Sequence, residues 1–142
     1  PAGGQASRNL AKKGHKVLLV EKSQDFNQND FSSAGMTLEP LKEFDLPDSI
    51  IGSYWNDLVI QCTKDKYHWK GETAKGVVLD FKKLRQFLAD ECVANGGDIL
   101  LGHRYIKKQV TEDNVSVELL NILFLHKVLN TFPFGRRNLY KI

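Results

Sequence analysis

The residues best suited to chemistry lie in the first part of the chain, residues 1–22, PAGGQASRNLAKKGHKVLLVEK, where a glycine pair near one end is matched by a carboxylate near the other. A glycine-rich turn lets backbone N–H groups approach a pyrophosphate, which then rests on the N-terminus of the following helix. An acidic residue roughly 20 positions on, at the end of the next strand, accepts hydrogen bonds from the hydroxyls of an adenosine ribose. Gly3 and Glu21 have that separation. Gly3 reads as the third glycine of G-x-G-x-x-G, which lets helix and strand pack closely, and Gly4 follows it. Ala6 and Ser7 are small, Leu10 packs beneath, Gly14 turns the chain, Val17 enters the core and Glu21 ends the strand. As a lone feature, Pro1-Ala2-Gly3-Gly4 would be an ordinary loop and Glu21 a charged strand end; the ordered set favours dinucleotide binding. A Glu at that place suits NAD or FAD and disfavours the 2′-phosphate of NADP. The pattern's first strand and first two glycines do not precede Gly3, so the chain reads as starting inside the phosphate-binding loop.

The other reactive side chains form no such set. His15, His68, His103 and His126 are scattered, with no pair at metal-ligand spacing, so no metal site is expected. Cys62 and Cys92 fit no redox or zinc pattern and are expected as free thiols, Cys92 on the buried side of a helix. Asp80 and Asp90 are explained as a helix cap and an outward helix charge, and no nucleophile elbow appears. Tyr54, Trp55, Tyr67 and Trp69 are read as cross-strand packing rather than a stacking platform.

The elements that must hold the glycine–carboxylate array follow from periodicity. Residues 4–13 read as a helix with Ala6, Leu10 and Ala11 on one face, stopped by Gly14. Residues 16–21, KVLLVE, form a short apolar run suited to a strand buried on both faces. A polar loop spans 23–35; residues 37–44 read as a short helix capped by Thr37, with Leu38, Leu41 and Phe44 inward. Strands are expected at 54–62, 66–70 and 75–79, the first two joined through Thr63-Lys64-Asp65. Asp80 caps a helix running to Asn95, with Leu84, Leu88 and Cys92 as its stripe, Phe81 and Phe87 flanking it and Gly96-Gly97 closing it. Strands follow at 98–101 and 115–119. Residues 119–142 carry Leu119, Ile122, Leu123, Leu125, Val128, Leu129 and Phe132 at helical spacing, then the basic Arg136, Arg137 and Lys141, as an amphipathic helix would.

At 142 residues the chain has the size of one domain, and 42% hydrophobic with 26% charged residues is the composition of a folded globular protein. A net charge of +3 without a basic run argues against a nucleic-acid partner. The most apolar stretch, 119–125, is too short to span a bilayer, and no secretory leader is visible, so a cytoplasmic or membrane-peripheral location is expected.

Three stretches, PAGGQASRNLAKKGHKVLLVEK, FSSAGMTLEPLKEFDLP and VVLDFKKLRQFLADECVANGGDILLGHRYI, together resemble the geranylgeranyl reductase-like flavoproteins, a family of FAD-dependent oxidoreductases. The resemblance runs to about Gln109 and covers the front part of such an enzyme; the later Gly-Asp motif and the substrate-binding sheet are not found. It implies noncovalent FAD, with Pro1, Ala2, Gly3 and Gly4 at the pyrophosphate, Glu21 at the ribose and Lys22 beside the adenine. Ser33 and Ala34 fall in the segment that runs near the flavin. Many relatives carry an Arg directly after the Asp that starts the later helix; here Asp80-Phe81 stands there and Arg85 follows one turn on, as a phosphate contact or a solvated helix charge. The implied fold is α/β, an incomplete Rossmann-like FAD/NAD(P)-binding domain (1–118) with a small antiparallel β insertion and its first strand missing, and then a divergent apolar and basic tail (119–142). The expected function is that of an FAD-binding piece of an oxidoreductase, inactive alone, whose full-length relatives take apolar isoprenoid-like substrates. The alternative is a non-catalytic module binding a membrane surface or a protein through the tail.

Overall fold

The computed structural model describes residues 1–28, 32, 34–122 and the main chain of 127–133. Helix α1 (Ala2–Lys12) leads through Gly14, at φ +78°, into strand β1 (Leu18–Val20). Helix α3 (Phe81–Ala94) leads in the same way through Gly96, at φ +86°, into a second short strand (Asp98–Leu100), and the two strands pair in parallel, Leu19 opposite Ile99. Both turns need the left-handed conformation that glycine adopts without strain. The expectation of two helix–glycine–strand units therefore holds. In a two-stranded pair each strand keeps an open edge, and Leu18, Leu19 and Val20 are half-buried rather than enclosed on both faces.

Between β1 and α3 the chain forms strand β2 (Gly35–Thr37), helix α2 (Glu39–Glu43), a 3₁₀ turn (Asp48–Ile50) and strands β3 (Ile51–Trp55), β4 (Asp57–Gln61), β5 (Lys66–Lys70) and β6 (Gly76–Leu79). Strands β2, β6 and β3 make one antiparallel sheet in that order, and β4–β5 is a separate hairpin. The second Asp98–Leu100 strand is β7; it is followed by β8 (His103–Val110), β9 (Asn114–Asn121) and β10 (Lys127–Pro133), an antiparallel meander. Leu41, Ile50, Val77, Leu79, Leu84 and Leu88 form the main core cluster, joining α2, β6 and α3.

Several expectations are corrected. The run 54–62 is two strands broken at Asn56, and Thr37 ends β2 instead of capping α2, whose N-cap is Leu38. Phe44 is exposed while Leu41 is buried. Over the described residues the amphipathic helix expected from Leu119 is not formed: Leu119 lies in β9 opposite Val128 of β10, so the helical spacing spans two strands, and Leu123 and Leu125 lie outside the described residues. Arg136, Arg137 and Lys141 lie outside the described residues. Among the described residues no helix is long and apolar enough to cross a membrane.

The buried face of α1 also differs from the expected one. Ser7, Arg8 and Ala11 are buried, with Gly4 half-buried one turn earlier, whereas Ala6 and Leu10 look outward. Positions 4, 7, 8 and 11 share one helix face, and the neighbour on that face is α3. A Cβ on Gly4 would stand 3.1 Å from Leu88 Cβ, so the contact admits only small residues. Arg8 is the exception, and its guanidinium reaches through to polar partners. Nη1 donates to Phe44 O (2.7 Å), Nη2 to Asp45 O and Oδ2 (both 3.0 Å) and Nε to Glu91 Oε2 (3.3 Å), while the group lies over the Phe87 ring. Asp45, at φ +49°, occupies the left-handed region that Asp tolerates, which turns both its carbonyl and its carboxylate to Arg8.

Removing hydrogen bonds made by a buried charge costs about 1.5–3 kcal/mol, so Arg8→Ala is expected to lower the urea midpoint by that much stability. A loss within about 0.5 kcal/mol, the usual scatter of surface substitutions, would show that the network carries nothing. The Glu91 carboxyl is held below the usual carboxylate range by the hydrogen bond from Lys12, with burial opposing and Arg8 adding to the lowering. A lowered folded-state pKa stabilises above the unfolded value and is lost as pH falls through the folded one. Urea midpoints taken from neutral to acidic pH should therefore separate the native chain from Glu91→Gln at neutral pH and converge below about pH 4.

Candidate functional site

The start of α1, the end of β1 and the first half of α3 meet at a recess lined by Pro1, Gly4, Leu19, Glu21, Phe26, Arg85 and Leu88. The first intrahelical hydrogen bond of α1 runs from Gln5 N–H to Pro1 O, which leaves the amides of Ala2, Gly3 and Gly4 directed out of the helix N-terminus. Ser7 Oγ donates to Gly3 O and steadies that turn. A Cβ on Gly3 would meet no atom within 4 Å, so Gly3 leaves open space, and the close-packing glycine is Gly4, against α3 rather than a strand.

Glu21 is fixed at both backbone and side chain. Its N–H donates to Leu100 O (2.9 Å) and its carbonyl accepts from His103 N–H (3.0 Å), continuing the parallel pairing past Val20. Oε1 accepts from Ser23 N–H (2.8 Å), and Oε2 lies 3.9 Å from Arg85 Nη2. The Arg85 side chain is only 11% exposed; Nη1 donates to Gln28 O (2.9 Å), and the guanidinium stacks over Phe26 and Phe81. Arg85 is thus a packed member of the recess, not a solvated helix charge. Beyond Glu21, Ser23 O accepts from Gly102 N–H, and Asp25 Oδ1 accepts from Asn27 N–H, closing an Asx turn. The Asn27 contacts hold the Asp25 carboxyl below the usual range.

Of the expected site residues, the structure therefore brings together Pro1, Gly4, Glu21 and Arg85, with Gly3 at the same helix start. Ala2 faces the adjoining apolar groove, which Ala6, Met36, Phe44 and Leu46 also line. Lys22 is exposed and outside the recess. Ala34, at φ +32°, packs on the core cluster and hydrogen-bonds Ser32 Oγ through its N–H; Ser33 lies outside the described residues. Sequence reasoning missed Phe26, whose signal is a bulky aromatic within the polar stretch Ser23-Gln24-Asp25-Phe26-Asn27. The Asp80 cap forms as expected, its side chain accepting from Lys83 N–H, and that bond lowers its carboxyl pKa. The aromatic hairpin stands clear of the recess. Tyr67 and Trp69 stack on each other and pair across the strands with Ile60 and Leu58.

No family model matches the chain. Over 110 residues it is 33% identical to a digeranylgeranylglycerophospholipid reductase of Haloferax volcanii, a match that covers 75% of this chain and 26% of that protein. The chain thus spans about a quarter of the length of the curated relative it matches. Its fold matches a geranylgeranyl bacteriochlorophyll reductase-like protein from Thermoplasma acidophilum with a TM-score of 0.71 at 21% identity, over 83% of this chain and 32% of the other. A p-nitrophenol 4-monooxygenase from Pseudomonas putida gives the same TM-score of 0.71 at 14% identity, over 92% of this chain and 36% of the other. A flavin-dependent monooxygenase whose structure holds FAD and substrate matches with a TM-score of 0.66 at 13% identity, over 91% of this chain and 27% of the other.

Arg85 ties the loop 23–28 to α3. Arg85→Ala is expected to raise hydrogen exchange of the Ser23 and Asn27 amides about tenfold, which corresponds to about 1.4 kcal/mol of local opening, with α3 protection kept. Unchanged exchange would show that Arg85 does not hold the loop.

Proposed function

From its homology to part of the geranylgeranyl reductase-like, FAD-dependent oxidoreductases, we propose that this chain is an FAD-binding portion of such an enzyme. The observation that carries the reading is the convergence of an outward-facing helix N-terminus with a doubly anchored carboxylate in one recess. The residues present suit the group. Amides of Ala2, Gly3 and Gly4, with open space at Gly3, would take the pyrophosphate. Glu21 would accept from the ribose hydroxyls, its second oxygen already satisfied by Ser23 N–H. Arg85 adds a fixed positive charge beside them.

When bound, FAD supplies the hydride chemistry, and the protein supplies position and electrostatics. The recess encloses about 50 Å³, whereas whole-ligand pockets run to about 300–1,000 Å³. In this reading the recess takes only the junction of pyrophosphate and ribose and leaves the flavin ring unenclosed, so no turnover is expected from this chain alone. The relative's name points to an isoprenoid lipid as the substrate of the whole enzyme. In the proposed reading the described elements contribute cofactor binding, and substrate choice resides in the remainder of such an enzyme. The rival reading, a surface module acting through an amphipathic helix, loses its element because β9 and β10 stand where that helix was expected.

Calorimetric titration with FAD tests the proposal, together with the visible spectrum of the purified chain. Saturable binding is expected, weakened about tenfold in Glu21→Ala, as for loss of a hydrogen bond to a charged group. Absence of saturable binding, or equal affinity in the variant, would overturn it.

A further inference from the structure

We propose that Asn95-Gly96, the turn that ends α3, is a deamidation site gated by the fold. It stays closed while the turn stands, and its conversion to aspartate or isoaspartate unseats β7 from β1. The site lies apart from the recess and from any nucleotide bound there.

An asparagine side chain is open to attack by the main-chain nitrogen that follows it. Here the Gly96 nitrogen would bond to Asn95 Cγ while the bond from Cγ to the side-chain nitrogen breaks. Ammonia leaves, carrying the proton of the Gly96 N–H. Water then opens the five-membered imide at one of its two carbonyls. One product is aspartate; the other is isoaspartate, whose main chain runs through the side-chain carbons. Glycine in the second place favours the attack, because it has no Cβ to shield its nitrogen and the freest backbone. Asn95-Gly96 is the only Asn-Gly pair in the sequence, and both residues are exposed, so water reaches them.

The native turn holds the reacting atoms apart. Asn95 closes α3 at φ −99° and ψ 19°. Ring closure needs the side chain and the Gly96 nitrogen on the same side of the Asn95 Cα–C bond; at this ψ, Cβ and that nitrogen lie far apart around it. Both groups are also tied. Asn95 Nδ2 donates to Glu91 O (2.7 Å), and Gly96 N–H donates to Val93 O (2.9 Å). Attack therefore waits for the last turn of α3 to open, as local fluctuations allow.

The products do not fit the turn they came from. Each lacks the Nδ2 donor to Glu91 O and sets a carboxylate at the C-terminal end of α3, where the helix dipole disfavours negative charge. Isoaspartate also lengthens the main chain by one carbon, and the next residue leaves no slack. Gly97 is buried, its N–H donates to Cys92 O, and a Cβ placed on it would meet Cys92 Sγ. Asp98 comes next; its N–H donates to Val17 O (2.8 Å) and it pairs with Leu18. A displaced turn thus acts directly on the β1–β7 pairing.

The test incubates the full chain at mildly alkaline pH, in buffer and in urea, and follows the tryptic peptide 86–104 by mass spectrometry. Deamidation at Asn95 is expected at least tenfold slower in buffer than in urea. Equal rates would overturn the gate. The urea-treated chain is then refolded beside Asn95→Gln, whose longer side chain closes a ring far more slowly. Exchange of the Glu21 and Asp98 amide hydrogens is expected to rise at least tenfold in the deamidated chain and not in the variant. A deamidated chain that fails to refold where the variant succeeds supports the unseating equally, and one that refolds with native exchange overturns it. Should neither refold, chains aged in buffer and separated by charge carry the same exchange measurement, with the same two outcomes.

Discussion

A single buried guanidinium organises the helical layer on which the recess is built. Arg8 projects from the one face of α1 that packs on α3, and every polar contact it makes reaches an element distant in sequence: the end of α2 through Phe44 and Asp45, and α3 through Glu91. Burying a charge is costly unless it is both paired and hydrogen-bonded, and Arg8 has both, with Phe87 beneath it. Lys12 adds a second cation to the same two carboxylates at the exposed rim. Because α1 is clamped in this way, its N-terminal amides and Gly4 hold a fixed position against Leu88, and Leu88 also closes the floor of the recess.

The recess is a second layer of the same design. Glu21 takes its position from backbone bonds to β7 and β8, and Arg85 takes its own from two aromatic rings and a carbonyl. The two supports meet in one loop, where Ser23 N–H holds the Glu21 carboxylate while Phe26 and Gln28 hold Arg85. The encounter of the two charged groups at 3.9 Å is therefore fixed by the loop 23–28 together with β7, β8 and α3.

What the sequence made legible was local. The helix–glycine–strand units, the Asp80 cap and the β4–β5 hairpin each depend on neighbouring residues, and each forms as expected. Arg8 was illegible because a charged residue within a helix reads as surface, and its carboxylate partners, Asp45 and Glu91, lie far along the chain. Strand β8, His103–Val110, was not expected because its mostly exposed residues show no clean alternation; its pairing with β9 defines it instead. The tail misled for the opposite reason, since its aliphatic residues satisfied a helical period by accident across two paired strands. At the site, the glycine–carboxylate spacing was readable, while the placement of Phe26 and Arg85 required the tertiary fold.

The parallel register of β1 with β7 carries a consequence for the order in which the molecule assembles. Leu18 pairs with Asp98, and Glu21 is pinned by Leu100 and His103, so closing the recess means closing most of the chain into one loop. Such distant pairing is slow, because its entropic cost falls due before its contacts form. Helix α3 and the hairpins can form earlier from neighbours in sequence. During synthesis the glycine-rich helix emerges before His103 and waits for it before Glu21 has a seat. The nucleotide affinity proposed for the recess would thus be acquired late in folding, and a ligand that binds there would stabilise only chains whose long loop has already closed.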